Sequence, residues 1–206
     1  SSYQFSVDNF NSMTSVLRGI GELGDKSIVT VSSGKQDTDI FGNPVENTGD
    51  YAGAVIAESD GEFLIFTYAD AVRAADSINV RFSDGTKIAG TVRQIDEVLG
   101  MAVVAAGNLP EEERKKVQVL SLANSYTVKA GDVLVGIGGP SGQVHSLSFG
   151  TVSYVARNVQ ITDGLTRILY ADISSNSQTG TFLINTAGEM VGWKADPSTE
   201  PSFYRL

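Results

Sequence analysis

Phe63-Leu64-Ile65-Phe66-Thr67-Tyr68-Ala69-Asp70-Ala71-Val72 is the stretch on which the reading of this chain turns. Its first half, Phe63 to Thr67, is aromatic and aliphatic in the way of a buried strand. Before it, Ser59-Asp60-Gly61 supplies a turn, and Tyr51 to Glu58 reads as the partner strand. After it, Ile78 to Phe82 and Lys87 to Ile95 flank Asp84-Gly85, a strong hairpin signal. Ile28-Val29-Thr30-Val31 and Met101 to Ala105 add two further strands, and the polar run from Lys35 to Asp50 reads as a surface loop.

The same grammar continues downstream. Val117 to Leu122, Val133 to Ile137, Leu147 to Val155, Leu165 to Ala171, Thr181 to Asn185 and Met190 to Lys194 form a second set of strands. Thr186-Ala187-Gly188-Glu189 closes the last hairpin. Pro110 to Lys116, acids followed by bases, reads as a solvated linker or a single helical turn between the two sets. The one convincing helix is 6–24, where Phe10, Met13, Val16, Leu17 and Ile20 mark an apolar face. Ser6 or Asp8 could cap its start and Gly24 could end it. About a dozen short strands with turns at close intervals predict an all-β sandwich or barrel pair.

Composition agrees and excludes several functions. Apolar residues make up 41% of the 206, which suits one large all-β domain or two small fused barrels. The net charge of −9 gives no basic footprint for nucleic acid and none for an anionic membrane. With no cysteine, disulfides, zinc thiolate sites and a cysteine nucleophile are excluded. No spacing of ligating residues points to a metal, and no cofactor motif occurs. No apolar run reaches the roughly 18 residues of a membrane helix. The first residue is Ser1, so a longer protein is expected, with a leader or anchor upstream.

Eight stretches in order resemble the trypsin-like domain of bacterial HtrA/DegP-type serine proteases. Residues 63–72 resemble that family's "ILTNxHVV" segment, Ala74-Ala75-Asp76-Ser77-Ile78 its "DADKI", Ser83-Asp84-Gly85-Thr86 its "SDGR" and 96–104 its "DPETDLAVL". Lys129 to Pro140 resemble "RVGDWVLAIGNP", Phe149 to Ser153 "SGIVS" and Gly188 to Trp193 "DGEVIGI". Ser177-Gln178-Thr179-Gly180-Thr181-Phe182 stands for the nucleophile motif. The resemblance implies two six-stranded antiparallel β-barrels with an N-terminal helix: a single domain over 1–206, with a helical segment at 1–26, a first barrel at 27–109 and a second at 117–196. It also implies an extracytoplasmic location, a membrane anchor outside these residues, trimer formation and a following PDZ domain.

At each catalytic position the chain departs from the family. Asp70 stands where the family has histidine, and Gly100 where it has the aspartate that orients that histidine. In the ungapped register Thr179 replaces the serine; a shifted register puts Ser177 there instead. A hydroxyl is a poor nucleophile until a base takes its proton. Loss of the serine–histidine pair costs roughly a factor of 10⁶ in turnover. No catalytic residue is therefore expected, and the chain reads as a pseudoprotease that binds peptides or proteins and acts as a regulatory module.

Its cleft should take an extended peptide as an added strand along Leu169, Tyr170, Ala171, Asp172 and Ile173, and along Gly192, Trp193, Lys194 and Ala195. Trp193 would either reshape the specificity pocket or pack on a barrel end. Two other functions stay open. One is an endopeptidase using Thr179 or Ser177, with Lys194 as a conceivable base. The other is an oligomerisation domain built on the helix at 6–24. The one histidine, His145, reads as an exposed loop residue, and Asp96 and Glu97 read as solvated acids beside Asp70.

Overall fold

The computed structural model describes residues 6–161, 164–176, 179–194 and 203–205. Helix α1 (Val7–Asp25) opens the chain. Ser6 caps it, its side chain accepting the Asn9 N–H at 3.2 Å. The helix buries Leu17, Gly21 and Gly24, while Phe10, Met13 and Val16 are exposed. The apolar periodicity therefore marks the helix, and of the expected face Leu17 and Ile20 meet the core while Phe10, Met13 and Val16 do not. Contact is made by glycine backbone: a Cβ at Gly24 would lie 2.7 Å from Ile184 Cδ1.

Strands β1 (Ile28–Thr38), β2 (Pro44–Ser59) and β3 (Glu62–Tyr68) follow. The segment 35–50, read as a loop, is instead a long hairpin, with β1 and β2 paired as far as Thr38 opposite Pro44. Its polar composition reflects two exposed strand ends. Asp39 ties the tip by accepting the N–H groups of Phe41 and Asn43, each at 2.8 Å.

After the short helix α2 (Ala69–Val72) come β4 (Ser77–Arg81), β5 (Lys87–Ala89), β6 (Thr91–Asp96) and β7 (Met101–Gly107). The sheet order is β5-β4-β1-β2-β3-β7-β6. β5 and β6 are the halves of one strand bent at Gly90, and they carry it from β4 to β7. A Cβ at the bend would lie 2.8 Å from Val104 Cγ1 and 3.0 Å from Ile78 Cγ2, so the residue there must be glycine. The two edges of the first sheet thus meet through one bent strand, which makes it a six-stranded barrel.

Helix α3 (Glu111–Arg114) and the residues after it link the halves. Val117 to Leu122 is not a ladder strand. Its hydrogen bonds are divided: Gln118 donates to Lys26 and Leu120 to Val55 in the first half, while Ser121 and Ala123 bond Met190 in the second. It is a strap across both barrels. β8 (Val133–Gly138), β9 (Ser148–Ile161), β10 (Gly164–Ala171), β11 (Thr181–Ile184), β12 (Met190–Trp193) and β13 (Phe203–Arg205) close in the order β10-β13-β12-β11-β8-β9. The sixth strand of this barrel is the C-terminal segment 203–205 in place of 117–122.

Each barrel has its own core. Val31, Phe63, Ile65 and Val104 belong to the first, and Leu134, Leu169 and Leu183 to the second. A third cluster joins them and includes Ala52, Tyr68, Met101, Ile137, Phe182 and Ile184. This shared layer fixes the cleft. Burying a large side chain such as Phe182 contributes about 1.5–3 kcal/mol from area alone. No helix among the described residues is long and apolar enough to cross a membrane.

Candidate functional site

β3 runs out of the first barrel at Tyr68, and α2 begins there because the Ala69 N–H donates to the Gly100 carbonyl at 2.9 Å. Gly100 has φ +67°, a left-handed conformation that glycine adopts without cost. Asp70 and Gly100 thus sit at one corner, but only the glycine backbone takes part. Asp70 is exposed, and its carboxylate pairs with Arg73 one turn on. Arg73 also donates from Nε to Glu97 Oε1 at 3.2 Å and from a terminal nitrogen to Oε2 at 2.6 Å. Hydrogen bonds to Glu97 and then to Asp70 hold the Arg73 guanidinium firmly protonated. The reciprocal bond holds the Glu97 carboxyl below the usual carboxylate range. Burial, and then the Asp70 charge, push the Tyr51 phenol up.

Across the cleft, Thr179 and Gly180, just before β11, are buried and hydrogen-bonded. The Thr179 N–H donates to Asn176 Oδ1 at 2.9 Å, and Gly180 N–H donates to the Asn176 carbonyl at 3.0 Å. The Thr179 carbonyl accepts the Ala52 N–H from the first barrel at 2.7 Å. Its hydroxyl donates to the Gly142 carbonyl at 3.1 Å. Thr179 is only 8% exposed. Gly139 packs on it so closely that a Cβ would lie 2.2 Å from Thr179 Cγ2. Ser177, the nucleophile of the shifted register, lies outside the described residues, as does Gln178.

Tyr68 is the residue that sequence reasoning missed. Its ring fills the space over Gly180, where φ is +100° and a Cβ would lie 2.3 Å from the ring. Its hydroxyl accepts the Thr181 N–H at 3.0 Å and donates to the Thr181 carbonyl at 3.1 Å. One side chain of the first barrel thereby sets the backbone of the second barrel's loop. A buried tyrosine needs partners for its hydroxyl, but nothing in the sequence says which. Asn176 was also missed, although an asparagine three residues before a buried threonine is a signal for such a turn.

The strands proposed to line a peptide cleft are partly committed already. Leu169 and Tyr170 pair with β9 on one side, opposite Val155 and Tyr154, and with β13 on the other, opposite Tyr204 and Phe203. Beyond them Ala171 is buried, the Asp172 N–H donates to Thr151, and Ile173 is buried. On β12, Gly192 and Trp193 pair with Leu183 and Phe182. Lys194 is buried, its N–H donating to Thr181 at 2.9 Å. Ala195 lies outside the described residues. The Trp193 indole packs edge-on against Phe66 of the first barrel, centroids 5.2 Å apart at 84°. It joins the layer between the barrels, and its indole N–H is buried without an acceptor.

His145 is not an exposed loop residue. Half-buried, with φ +72°, it sets Nδ1 2.9 and 3.1 Å from the two oxygens of Asp25 at the end of α1. Beside it a cavity of about 390 Å³ opens between the barrels, lined in part by Thr30, Asp50, Arg81, Gln143, His145 and Thr179. Among the described residues no group of three or more His, Asp or Glu side chains could hold a metal ion.

Residues 52–192 match the model of the trypsin-like peptidase domain family. HhoB of Synechocystis sp., which carries a serine-protease name, is 29% identical over 185 residues, covering 87% of this chain and 41% of that protein. A protein of Halomonas elongata named as a DegP-like periplasmic serine endoprotease is 31% identical over 156 residues, covering 74% of this chain and 30% of that one. The chain spans about two fifths or less of the length of these relatives. The solved HtrA-type protease AlgW with decapeptide superposes with a TM-score of 0.71 at 16% identity, covering 92% of this chain and 63% of that one.

Proposed function

The chain belongs to the trypsin-like peptidase domain family, as an HtrA-type domain, and we propose that it is a catalytically silent member that binds extended peptide between its barrels. One observation carries this reading. The Thr179 hydroxyl gives its proton to a backbone carbonyl, while the side chain at the position of the base, Asp70, is turned to Arg73 in solvent. A general base must reach the proton it takes, and among the described residues Thr179 and Asp70 are each bonded to other groups, which supports the reading. Ser177 is a second candidate nucleophile, and Asp70 with Gly100 would leave it equally unassisted.

The binding half of the proposal rests on the shared cleft and on the likeness to AlgW, which was solved with a decapeptide. Within the cleft, the added strand is proposed to run along Ala171 to Ile173 and past Gly192 and Lys194, while Trp193, paired with Phe182 on one side and Arg205 on the other, serves as framework. Leu169 and Tyr170 have both sides occupied by β9 and β13 and serve as framework. The periplasmic names of the relatives point to an extracytoplasmic site of action, with any membrane anchor or PDZ domain carried by other parts of a longer protein. The exposed Phe10, Met13 and Val16 on α1 would serve a trimer contact.

The test pairs two measurements on purified protein. Fluorophosphonate labelling and casein hydrolysis should both stay at background, and fluorescence anisotropy should show saturable binding of an unstructured decapeptide. Labelling that disappears on Thr179→Ala or Ser177→Ala would replace the proposal with an endopeptidase.

A further inference from the structure

We infer that the cavity between the barrels beside Thr179 binds a carboxylate of the bound peptide through Arg81 and Thr30. This rests on the peptide-binding reading above and names the chemistry that the site selects.

Strand register builds the cavity floor. Thr30 stands opposite Ala52 on one side and Arg81 on the other, and Ser32, two residues along β1, stands opposite Asp50. Residues two apart on a strand share a face. Thr30, Ser32, Asp50 and Arg81 therefore share one face of the first barrel. Gln143, Val144 and His145 of the second barrel form the opposite wall, and Thr179 lies at the base. The volume of about 390 Å³ falls within the range of small-ligand sites.

The donors in this space are underused. Thr30 is 2% exposed and lines the cavity, yet its hydroxyl has no hydrogen-bond partner among the described residues. Among the described residues the buried side-chain polar atoms without a partner belong to Arg114, Arg167 and Trp193, so the Thr30 hydroxyl meets the solvent of the cavity, where a ligand oxygen would take the place of water. Arg81 has a planar fork of five N–H donors. Among the described residues its one charged partner is Asp50, and that contact is loose at 3.7 Å. Asp50 itself is held elsewhere, accepting the Ser32 hydroxyl at 2.7 Å. The other basic group on the wall, His145, faces Asp25. An incoming carboxylate would meet Arg81 as a bidentate partner and Thr30 as a third donor. It would compete with Asp50 for Arg81 without displacing any hydrogen bond.

Two sources supply such a carboxylate: a peptide C-terminus or an acidic side chain. Three fluorescein-labelled Val-Ala repeat decapeptides separate them: a free C-terminus, a C-terminal carboxamide, and a carboxamide with glutamate next to last. Arg81 and the exposed face around it tolerate change, so Arg81→Gln and Arg81→Lys should both fold, as circular dichroism would verify. Expected is roughly tenfold weaker binding of the carboxamide than of the better carboxylate peptide. Arg81→Gln should erase that gap, Arg81→Lys restore it in part, and Asp50→Asn widen it. Equal binding of all three peptides by the parent overturns the carboxylate site while leaving peptide binding intact. Failure of all three to bind removes both.

Discussion

The two walls of the cleft are held in opposite ways. On the first-barrel wall, Asp70 of the four-residue helix, Arg73 just after it and Glu97 after β6 form an exposed ionic cluster. On the second-barrel wall, Thr179 and Gly180 are buried, and they and Thr181 are held by main-chain bonds, glycine contacts and the Tyr68 hydroxyl. The backbone at Thr179 and Gly180 is thus fixed by main-chain bonds and packing, with no side chain of the Asp70 corner taking part. The base corner has no such support.

The difference is testable by substitution, with the largest effect on the buried wall. Gly180→Ala places a Cβ on the Tyr68 ring and forces alanine into a left-handed conformation, so it should destabilise by about 2–5 kcal/mol in chemical denaturation. A variant as stable as the parent would mean that Tyr68 does not set the loop. Tyr68→Phe keeps the ring but leaves the buried Thr181 N–H and carbonyl without that partner. Its expected cost is about 1–3 kcal/mol, with greater susceptibility of the loop to proteolysis.

Most of the fold was legible because strand alternation, Asp-Gly turns and family-like stretches all point to the same barrels. Legibility failed where geometry is non-local. The strap 117–122 has strand composition, but its partners lie in two different barrels. The bend that closes the first barrel is a single glycine, Gly90. In the site, the expected departures at Asp70, Gly100 and Thr179, with Ser177 as the alternative register, rest on residue identity and the family resemblance. The Tyr68–Thr181 bonds span 113 positions and the His145–Asp25 pair 120, distances at which one sequence carries no pairing signal.

The exposed wall should respond weakly. Arg73→Gln removes the partner of both Asp70 and Glu97, yet solvent-exposed pairs contribute little. The melting temperature at pH 7 should stay within about 2 °C of the parent. The sign with pH is set by Glu97, which Arg73 holds below the usual carboxylate range. Stability from this pair is present above the ordinary carboxylate pKa and lost as pH falls through the lowered value. The small gap between parent and variant should therefore close in acid, and a gap that widened there would contradict the assignment.

The smallest effect is the one that links the walls of the first barrel electrostatically. Tyr51 is pushed up first by burial and second by the Asp70 charge. Asp70→Asn removes only the second cause. The phenol should then ionise at a slightly lower pH than in the parent, while staying above an ordinary tyrosine because burial persists. A raised phenol pKa contributes stability below the unfolded value that is lost as pH rises through the folded value, so Asp70→Asn should also move the alkaline edge of stability down. Difference absorbance near 295 nm, parent against variant and with Tyr51→Phe to identify the signal, reads the shift. An unchanged titration would show that Asp70 and Tyr51 do not sense each other, and that the base corner is isolated from the cleft as well as from the nucleophile loop.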